Sequence, residues 1–320
     1  MPAEPMDAEI RGAREAREVA LCGALSAGLS AFVVLGLPRG GDLAAHLYRT
    51  SLVQHGIFVW DNLWFAGQYP LSSYSLLYYP LANLVGNAAL GIGGVVVAAA
   101  VFASIALREW HTLGRWPARM FAVLLAGQAF TAAYPYDLGL ATLLGTVWAM
   151  QQRRTWVAAC CTLLTLGFSP LAFLFLALAM LALFLRKRRL SRQTLVLAGA
   201  LAFAAGVQVA LLELLPSPGI VYPYGAWRLA AGLALCAVGV VLSLAGRAGW
   251  PHAVIFLIWA AASVVIGIVP SPVGHNLIRA DVFVVPLMLV AAARADFRPR
   301  ALAIVGIAGA LAANVGRISP

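Results

Sequence analysis

An acid, an imidazole and a guanidinium lie close together in the sequence "GDLAAHLYRT", residues 41–50. Asp42, His46 and Arg49 are spaced at i, i+4 and i+7, and in a helix this spacing places all three side chains on one face. Side chains of these types exchange protons and bind anions. We call the three residues the Asp42 stripe, and we interpret it as a candidate functional site.

Each of these polar residues also has an ordinary structural explanation. Asp42 follows "PRGG" and opens a predicted helix, so it can serve only as an N-cap that accepts amide hydrogen bonds. Asp61, Asp137 and Asp281 open predicted helices in the same way. His46 is equally consistent with a solvated residue at a membrane interface. The residue types alone leave these alternatives open.

The chain that carries the stripe is apolar along its whole length. Its residues are 62% hydrophobic and 11% charged, and its mean hydropathy is +0.88. Because about 20 apolar residues span a bilayer as a helix, the sequence predicts an all-α polytopic membrane protein with one transmembrane domain over residues 1–320. About 11 spans are predicted, at residues 18–37, 83–107, 118–134, 137–150, 155–169, 170–185, 194–215, 226–246, 252–270, 281–293 and 301–316.

The basic residues predict the orientation of these spans. They form short clusters between apolar runs, which is typical of cytoplasmic loops and not of a nucleic-acid-binding surface. With residues 1–17 in the cytoplasm, seventeen of the 22 basic residues fall on the cytoplasmic side. Residues 38–82 then form the first extracytoplasmic loop, and residues 83–320 supply the remaining helices. We therefore expect a multi-pass plasma-membrane protein whose active side is extracytoplasmic.

The first outer loop is unusually aromatic. From Phe58 to Tyr79, eight of 22 residues are aromatic, against 10% in the whole chain. Such rings favour the membrane interface, so we expect one or two amphipathic helices on the outer leaflet, with the Asp42 stripe facing the membrane domain. Tyr74 and Tyr78 can contact a substrate or belong to the interfacial aromatic belt.

The acidic residues outside the cytoplasmic segments concentrate at the outer face. Glu213 lies near the C-terminal end of its span, where the helix dipole disfavours an anion, so it needs a partner such as Arg228 or Arg279. This distribution predicts an aqueous pocket open to the outside. The acids of this group are Asp42, Asp61, Asp137, Glu213 and Asp281.

The stretch "SPVGHNLIRAD" carries more polar groups than a plain connection between spans requires. An arginine at the membrane edge is costly unless it is paired or binds an anion. We therefore predict that Arg279, with His275 and Asn276, lines the same outer cavity as Asp42. The alternative is that Arg279 pairs with another acid of the outer face.

Several motifs resemble the GT-C superfamily of integral membrane glycosyltransferases. The stretch from Gly41 to Gly86 is similar to the first outer loop of these enzymes, whose pattern is Gly-Asp, a His four residues on, then Trp, Gly-Tyr-Pro and an aromatic-Pro-Leu ending. The similarity is closest to a bacterial branch labelled 6-pyruvoyl-tetrahydropterin synthase-related, and to large actinobacterial membrane proteins. Further similar motifs are "YPYDLGLATLLGTVWAM", "GFSPLAFLFLAL" and "VGHNLIRADVFVVPL".

The resemblance implies an enzyme that transfers a sugar from a polyprenyl-phosphate donor to an extracytoplasmic cell-envelope acceptor. By position, Asp42 would be the catalytic general base, and Arg49 or Arg279 would stabilise the phosphate leaving group. The residues expected to bind substrate are His46, Arg49, Asp61, Tyr74, Tyr78, Asp137, His275, Asn276 and Arg279.

The chain departs from the family pattern at two points. Leu43 follows Asp42 where several members carry a second acid, so we expect neither a divalent metal nor another cofactor. Many members continue into a periplasmic C-terminal domain, whereas this sequence ends at "NVGRISP". We therefore expect acceptor binding to involve a membrane-protein partner, in addition to the lipid donor and the bilayer.

Two other classes of function compete with this interpretation. A transporter or flippase of a lipid-linked substrate would have inverted repeats and polar residues near the bilayer midplane, and the sequence has no convincing repeat. A non-catalytic membrane subunit that scaffolds a cell-envelope complex is compatible with the same fold, because fold does not fix function.

Overall fold

The structure, a computed structural model, describes residues 5–38, 40–67, 70, 74–186, 191–215, 222–245 and 249–294. Within these residues it contains helices and no β-strand, which confirms the all-α prediction there. The helices in chain order are α1 (Pro5–Ala31), α2 (Leu43–Gln54), α3 (Tyr78–Val85), α4 (Asn87–Trp110), α5 (Arg115–Gln128), α6 (Tyr134–Gln151), α7 (Thr155–Phe168), α8 (Pro170–Arg186), α9 (Arg192–Leu214), α10 (Ala226–Ala245), α11 (Trp250–Ile268) and α12 (Asp281–Arg294).

Several of these helices have the length and composition of membrane spans. Each of the first ten predicted spans overlaps at least one helix, although the span 83–107 covers the end of α3 as well as α4, and the eleventh, residues 301–316, lies outside the described residues. Five described stretches are long and apolar enough to cross a membrane: Gly12–Gly36, Asn87–Thr131, Arg192–Leu214, Ala226–Ala245 and Trp250–Ile268. Shorter apolar helices cover Thr155–Phe168, Pro170–Leu185 and Val282–Arg294.

The outer surface of the helices supports a membrane environment. On α9, Phe203, Val209 and Leu212 are 64%, 58% and 53% exposed. Large apolar side chains exposed around a helix in this way are unfavourable in water, whereas a lipid-facing helix requires them. The protein is therefore described as a polytopic, membrane-embedded helical bundle.

The longest apolar stretch, Asn87–Thr131, is folded into a hairpin. Phe102 of α4 stacks on Phe121 of α5 at 4.1 Å between ring centroids, so the two helices run antiparallel. The chain reverses at His111, which has φ +51°. Gly114 closes the turn against the backbone of Ala106, where a Cβ atom would overlap the Ala106 carbonyl group.

The helix ends that carry most of the described arginines gather at one end of the bundle. Glu18 of α1 accepts two hydrogen bonds from Arg119 of α5, at 2.5 and 2.9 Å. Gln151 at the end of α6 donates to the Ile105 carbonyl at 3.5 Å, and Gln193 at the start of α9 donates to the Met150 carbonyl at 3.3 Å. We call this the arginine end.

The first loop packs on the opposite end of the bundle. Its two helices, α2 and α3, pack against each other, α3 packs against α4, and Asn87 of α4 donates a hydrogen bond to Thr50 of α2. The amides of Leu76 and Leu77 both donate to the Gly167 carbonyl at the end of α7, each at 2.9 Å. Gly91 of α4 lets the Tyr134 ring of α6 pack directly on the helix backbone, since a side chain there would overlap the ring. The Asp42 stripe lies at this end.

Candidate functional site

Asp42 and Arg279 are in contact although 237 positions separate them in the sequence. Arg279 donates from Nη2 to Asp42 Oδ2 at 3.3 Å. Asp42 is the residue before α2, but its side chain makes no capping hydrogen bond. The Asp42 side chain is 44% exposed, whereas that of Arg279 is 13% exposed. Capping therefore does not explain Asp42, whose carboxylate is open on one side and held by a guanidinium on the other.

The short loop that carries Arg279 is fixed by close packing. It forms a 3-10 turn over Gly274–Ala280, and Gly274 has φ +41° and lies directly against the Tyr222 backbone. Only glycine fits there, because a Cβ atom would overlap the Tyr222 carbonyl. Tyr136 of α6 donates its hydroxyl hydrogen to the Arg279 carbonyl at 3.3 Å, and its ring lies under the Arg279 guanidinium at 5.6 Å.

Arg49 is buried in a cage of aromatic rings. Its residue is 2% exposed, and its guanidinium carbon lies 4.8, 5.8 and 4.5 Å from the ring centroids of Trp64, Tyr74 and Tyr79. Nη1 donates to the Tyr79 hydroxyl at 3.0 Å. Among the described side chains, Nε and Nη2 have no hydrogen-bond partner, and no carboxylate lies within ion-pair distance of Arg49. A buried cation with two unused donors can bind an anion.

His46 is buried beside this cage and is not solvated, so the solvated alternative is wrong. Its ring lies 5.6 Å from the rings of Tyr74 and Tyr78, 5.9 Å from that of Tyr79 and 6.1 Å from that of Tyr134. Burial, followed by the charge of Arg49, lowers the pKa of His46 from 6.5 to about 3. The imidazole is therefore neutral near pH 7.

A neutral His46 can accept a hydrogen bond from Tyr79 through Nδ1. His46 Nδ1 lies 3.2 Å from the Tyr79 hydroxyl oxygen. That oxygen already accepts a hydrogen bond from Arg49, so its own hydrogen is available to donate to Nδ1. His46 thus orients Tyr79, and Tyr79 orients Arg49.

Tyr78 belongs to a polar network that holds α2 on the bundle. Its residue is fully buried, and its hydroxyl donates to Asn87 Oδ1 at 2.8 Å. Asn87 Nδ2 donates to Thr50 Oγ1 at 3.1 Å, and Thr50 Oγ1 donates to the His46 carbonyl at 2.8 Å. The Tyr78 hydroxyl is therefore used within the protein, and Tyr78 helps to position α2.

Asp61 shapes the Arg49 cage through Trp64. Asp61 Oδ2 accepts hydrogen bonds from the amides of Leu63 and Trp64, both at 3.0 Å, and from the Tyr48 hydroxyl at 2.6 Å. These contacts stabilise the start of the 3-10 turn Trp64–Gly67. The structure thus favours the capping explanation of Asp61 over a substrate contact.

Asp137 is a buried acid in the first turn of α6. It is fully buried, and both carboxylate oxygens lack a hydrogen-bond partner among the described side chains. The N-cap of α6 is Ala133, so capping does not explain Asp137. Its carboxyl group lies close enough to the Arg279 guanidinium to interact with it electrostatically. Asp137 therefore belongs to the same electrostatic cluster as Asp42.

The remaining predicted outer residues contribute less. Glu213 and Arg228 are exposed, and neither takes part in an ion pair with another described side chain. Asn276 is half-buried, and its amide donates to the Val273 carbonyl at 2.9 Å. The side chain of His275 lies outside the described residues.

Three contributors to the site were not among the predicted site residues. Trp64 and Tyr79 enclose Arg49, and Asn87 connects three helices. The aromatic density of the first loop signalled the rings, but nothing in the sequence near Asn87 separates it from an ordinary polar residue at a helix start.

A largely apolar groove lies within the bundle, and it includes Ala280 of the Arg279 loop but none of Asp42, Arg49 and Arg279. Its volume is about 640 Å³, and its lining follows α12 from Ala280, the residue after Arg279, to Arg294. Because α12 has 14 residues, the groove is roughly 20 Å long at 1.5 Å per residue. Its aromatic walls are formed by Phe102, Trp110, Phe175, Phe256, Trp259 and Phe283.

No protein-family model, curated protein or solved structure matches the chain. Among the described residues, no group of three or more His, Cys, Asp or Glu side chains is placed to hold a metal ion. The functional argument therefore depends on the geometry around Asp42, Arg279 and Arg49.

Proposed function

We propose that the protein is a membrane glycosyltransferase of the GT-C type, which transfers a sugar from a polyprenyl-phosphate donor to an extracytoplasmic cell-envelope acceptor. The observation that carries the proposal is the pairing of an accessible carboxylate, Asp42, with Arg279, beside the caged Arg49 and its two unused donors. A base and an anion-binding group are the two elements that the transfer of a phosphate-activated sugar requires.

The chemical roles follow from the charge and the contacts of each group. Asp42 removes the proton from the acceptor hydroxyl, and the resulting oxygen bonds to the anomeric carbon of the sugar. The bond between that carbon and the phosphate oxygen breaks, and the phosphate leaves with the electron pair. The guanidinium of Arg49 binds the leaving phosphate, while Arg279 holds one oxygen of Asp42 and leaves the other for the acceptor.

The apolar groove supports a lipid-linked donor. Its lining includes Ala280, which follows Arg279 in the sequence, so an apolar chain lying along α12 would approach the loop that carries Arg279. Apolar and aromatic walls with few polar groups suit a hydrocarbon ligand.

The same groove favours a second candidate function, a flippase or transporter of a lipid-linked substrate. Its lining runs along α12 from Ala280 to Arg294, so an apolar lipid chain could lie along this helix. An enzyme forms a glycosylated acceptor, whereas a flippase changes only the membrane leaflet that contains the lipid-linked sugar.

Asp42→Asn tests the enzyme proposal. The variant retains the size of the side chain and a hydrogen bond to Arg279, but it removes the charge and the basicity. Transfer of labelled sugar from polyprenyl phosphate, measured in membranes, should fall roughly a hundredfold or more. Glu213→Gln is the matched control, because it also neutralises an acid that is exposed and lies outside the site.

Full transfer by Asp42→Asn, with the control also active, would contradict the assigned base. Wild-type protein that moves a fluorescent lipid-linked sugar between leaflets, and forms no glycosylated product with any acceptor fraction, would favour the flippase.

A further inference from the structure

A second hollow lies at the arginine end of the bundle, away from Asp42. It has a volume of about 410 Å³ and lies between the turn that joins α6 to α7 and the start of α9. Its lining includes three arginines and no acid. The lining residues are Arg153, Arg154, Thr155, Trp156, Val157, Arg192 and Val196.

The charges of these arginines are not balanced within the protein. Among the described side chains, no carboxylate lies within 4.0 Å of Arg153, Arg154 or Arg192. Arg154 and Arg192 also adjoin the first turns of α7 and α9. The positive end of a helix dipole disfavours a cation, so both helix starts add to the repulsion among the arginines. A bound anion would offset this repulsion.

The backbone at Arg153 indicates that its side chain has a role of its own. The amide of Arg153 donates to the Met150 carbonyl at 3.1 Å, and that of Arg154 donates to the Ala149 carbonyl at 2.8 Å. This is a Schellman ending of α6, with Arg153 in the left-handed position at φ +57°. Glycine is the usual residue at this position, because a side chain is strained in the left-handed conformation. An arginine there therefore costs conformational energy, which a bound anion could offset.

The rim of the hollow points to a lipid. Trp156 is 70% exposed and Val157 is 42% exposed, directly beside the arginines. An exposed tryptophan is typical of the level of the lipid headgroups, and basic pockets between membrane helices bind anionic headgroups. The Arg154 guanidinium lies over the Trp148 ring at 5.6 Å, which holds it near this rim.

We propose that the hollow formed by Arg153, Arg154 and Arg192 binds the phosphate headgroup of an anionic phospholipid, with the acyl chains lying outside against Trp156 and Val157. This site is separate from the proposed sugar-transfer site and does not depend on it. The phospholipid would hold the α6–α7 turn and the start of α9 together.

The binding test uses the full chain, purified and exchanged into phosphatidylcholine nanodiscs. Titration with fluorescent phosphatidylglycerol, read by fluorescence anisotropy or native mass spectrometry, compares wild type with Arg153→Gln/Arg154→Gln/Arg192→Gln. At about 1 kcal/mol for each basic residue, the triple variant should bind phosphatidylglycerol roughly a hundredfold more weakly. The matched control neutralises three other exposed arginines at the same end, Arg14, Arg17 and Arg108.

The proposal is overturned if the control weakens phosphatidylglycerol binding as much as the triple variant does, because surface charge alone would then explain it. It is also overturned if inorganic phosphate displaces the lipid at equal concentration, since the apolar rim would then be irrelevant. If the triple variant does not fold, a second measurement tests the same proposal on a different variant. Phosphatidylglycerol brominated in its acyl chains should quench Trp156, so Trp156→Phe should lose part of the quenching seen in wild type. Equal quenching in both proteins contradicts the proposed placement of the lipid.

Discussion

At the scale of single residues, Arg49 is the cation whose environment depends most on its shape. A guanidinium can stack on the rings of Trp64 and Tyr79, donate to the Tyr79 hydroxyl, and still present two donors. A lysine ammonium retains the charge but cannot combine stacking with two parallel donors.

Arg49→Lys should therefore retain the fold and lose affinity for the donor. One charge-assisted hydrogen bond contributes about 1.5–3 kcal/mol, so KM for the polyprenyl-phosphate donor should rise roughly tenfold to a hundredfold. Steady-state transfer kinetics measure this, and Arg228→Lys, an exposed arginine outside the site, is the control. An unchanged KM in Arg49→Lys would mean that the cage serves only packing.

The lowered pKa of His46 should make the stability of the protein depend on pH. Its pKa is about 3 in the folded protein and 6.5 in the unfolded chain, so the unfolded chain binds more protons between these values. The contribution of neutral His46 to the free energy of unfolding should therefore be fully present above pH 6.5 and should be lost as the pH falls toward 3. At pH 5 the loss should be about 2 kcal/mol.

Unfolding of the detergent-solubilised protein at pH 7 and pH 5 measures this loss. His46→Gln retains an acceptor for Tyr79 without a titrating group, so it should show a smaller difference between the two pH values. His55→Gln, an exposed histidine in the same loop, controls for general acid effects. If His46→Gln and wild type lose equal stability at pH 5, another group is responsible.

At the scale of elements, the network of Asn87 decides where α2 lies. Removing its amide leaves the Tyr78 hydroxyl and Thr50 buried with fewer partners. An unsatisfied buried polar group costs about 1–3 kcal/mol. Asn87→Ala should thus destabilise the protein by about 2 kcal/mol and also reduce transfer, because α2 carries Arg49. Asn83→Ala is the matched control, since Asn83 is exposed on α3. Similar unfolding midpoints for the two variants would show that the network does not hold α2.

The elements also show which features the sequence can predict. The apolar run 155–169 predicted α7 closely, because Pro170 marks its end and its composition alone favours a buried or lipid-facing helix. The predicted span 83–107 was wrong at its start. α3 and α4 are separate helices, and the chain turns between them at Gly86, which has φ +94°. A glycine within an apolar run does not reveal its backbone conformation from sequence alone.

The sequence likewise predicts some features of the candidate site and not others. The expectation that Arg279 shares a cavity with Asp42 followed from placing polar residues on one side of the bundle, and the two side chains are in contact. The Arg49 cage and the Asn87 network depend on distances between helices that local patterns do not encode. Their chemical roles stay predictions.

At the scale of the whole molecule, the two ends of the bundle differ in charge and shape. The arginine end carries Arg119 and the basic hollow, whereas the other end carries the Asp42 stripe under a cover of aromatic residues. The positive-inside rule predicts that the arginine end faces the cytoplasm. The proposed sugar transfer requires this orientation, because it takes place outside the membrane.

Cysteine labelling in intact cells measures the orientation directly. A cysteine that replaces His55, exposed after α2, should react with an impermeant maleimide. One that replaces Thr112, exposed in the turn between α4 and α5, should react only after the cells are permeabilised. The parent chain, with its 4 natural cysteines, gives the background. The reverse pattern would place Asp42 in the cytoplasm and end the proposal of an extracytoplasmic acceptor. The contact between Asp42 and Arg279 would remain, and a cytoplasmic substrate would then have to be sought for it.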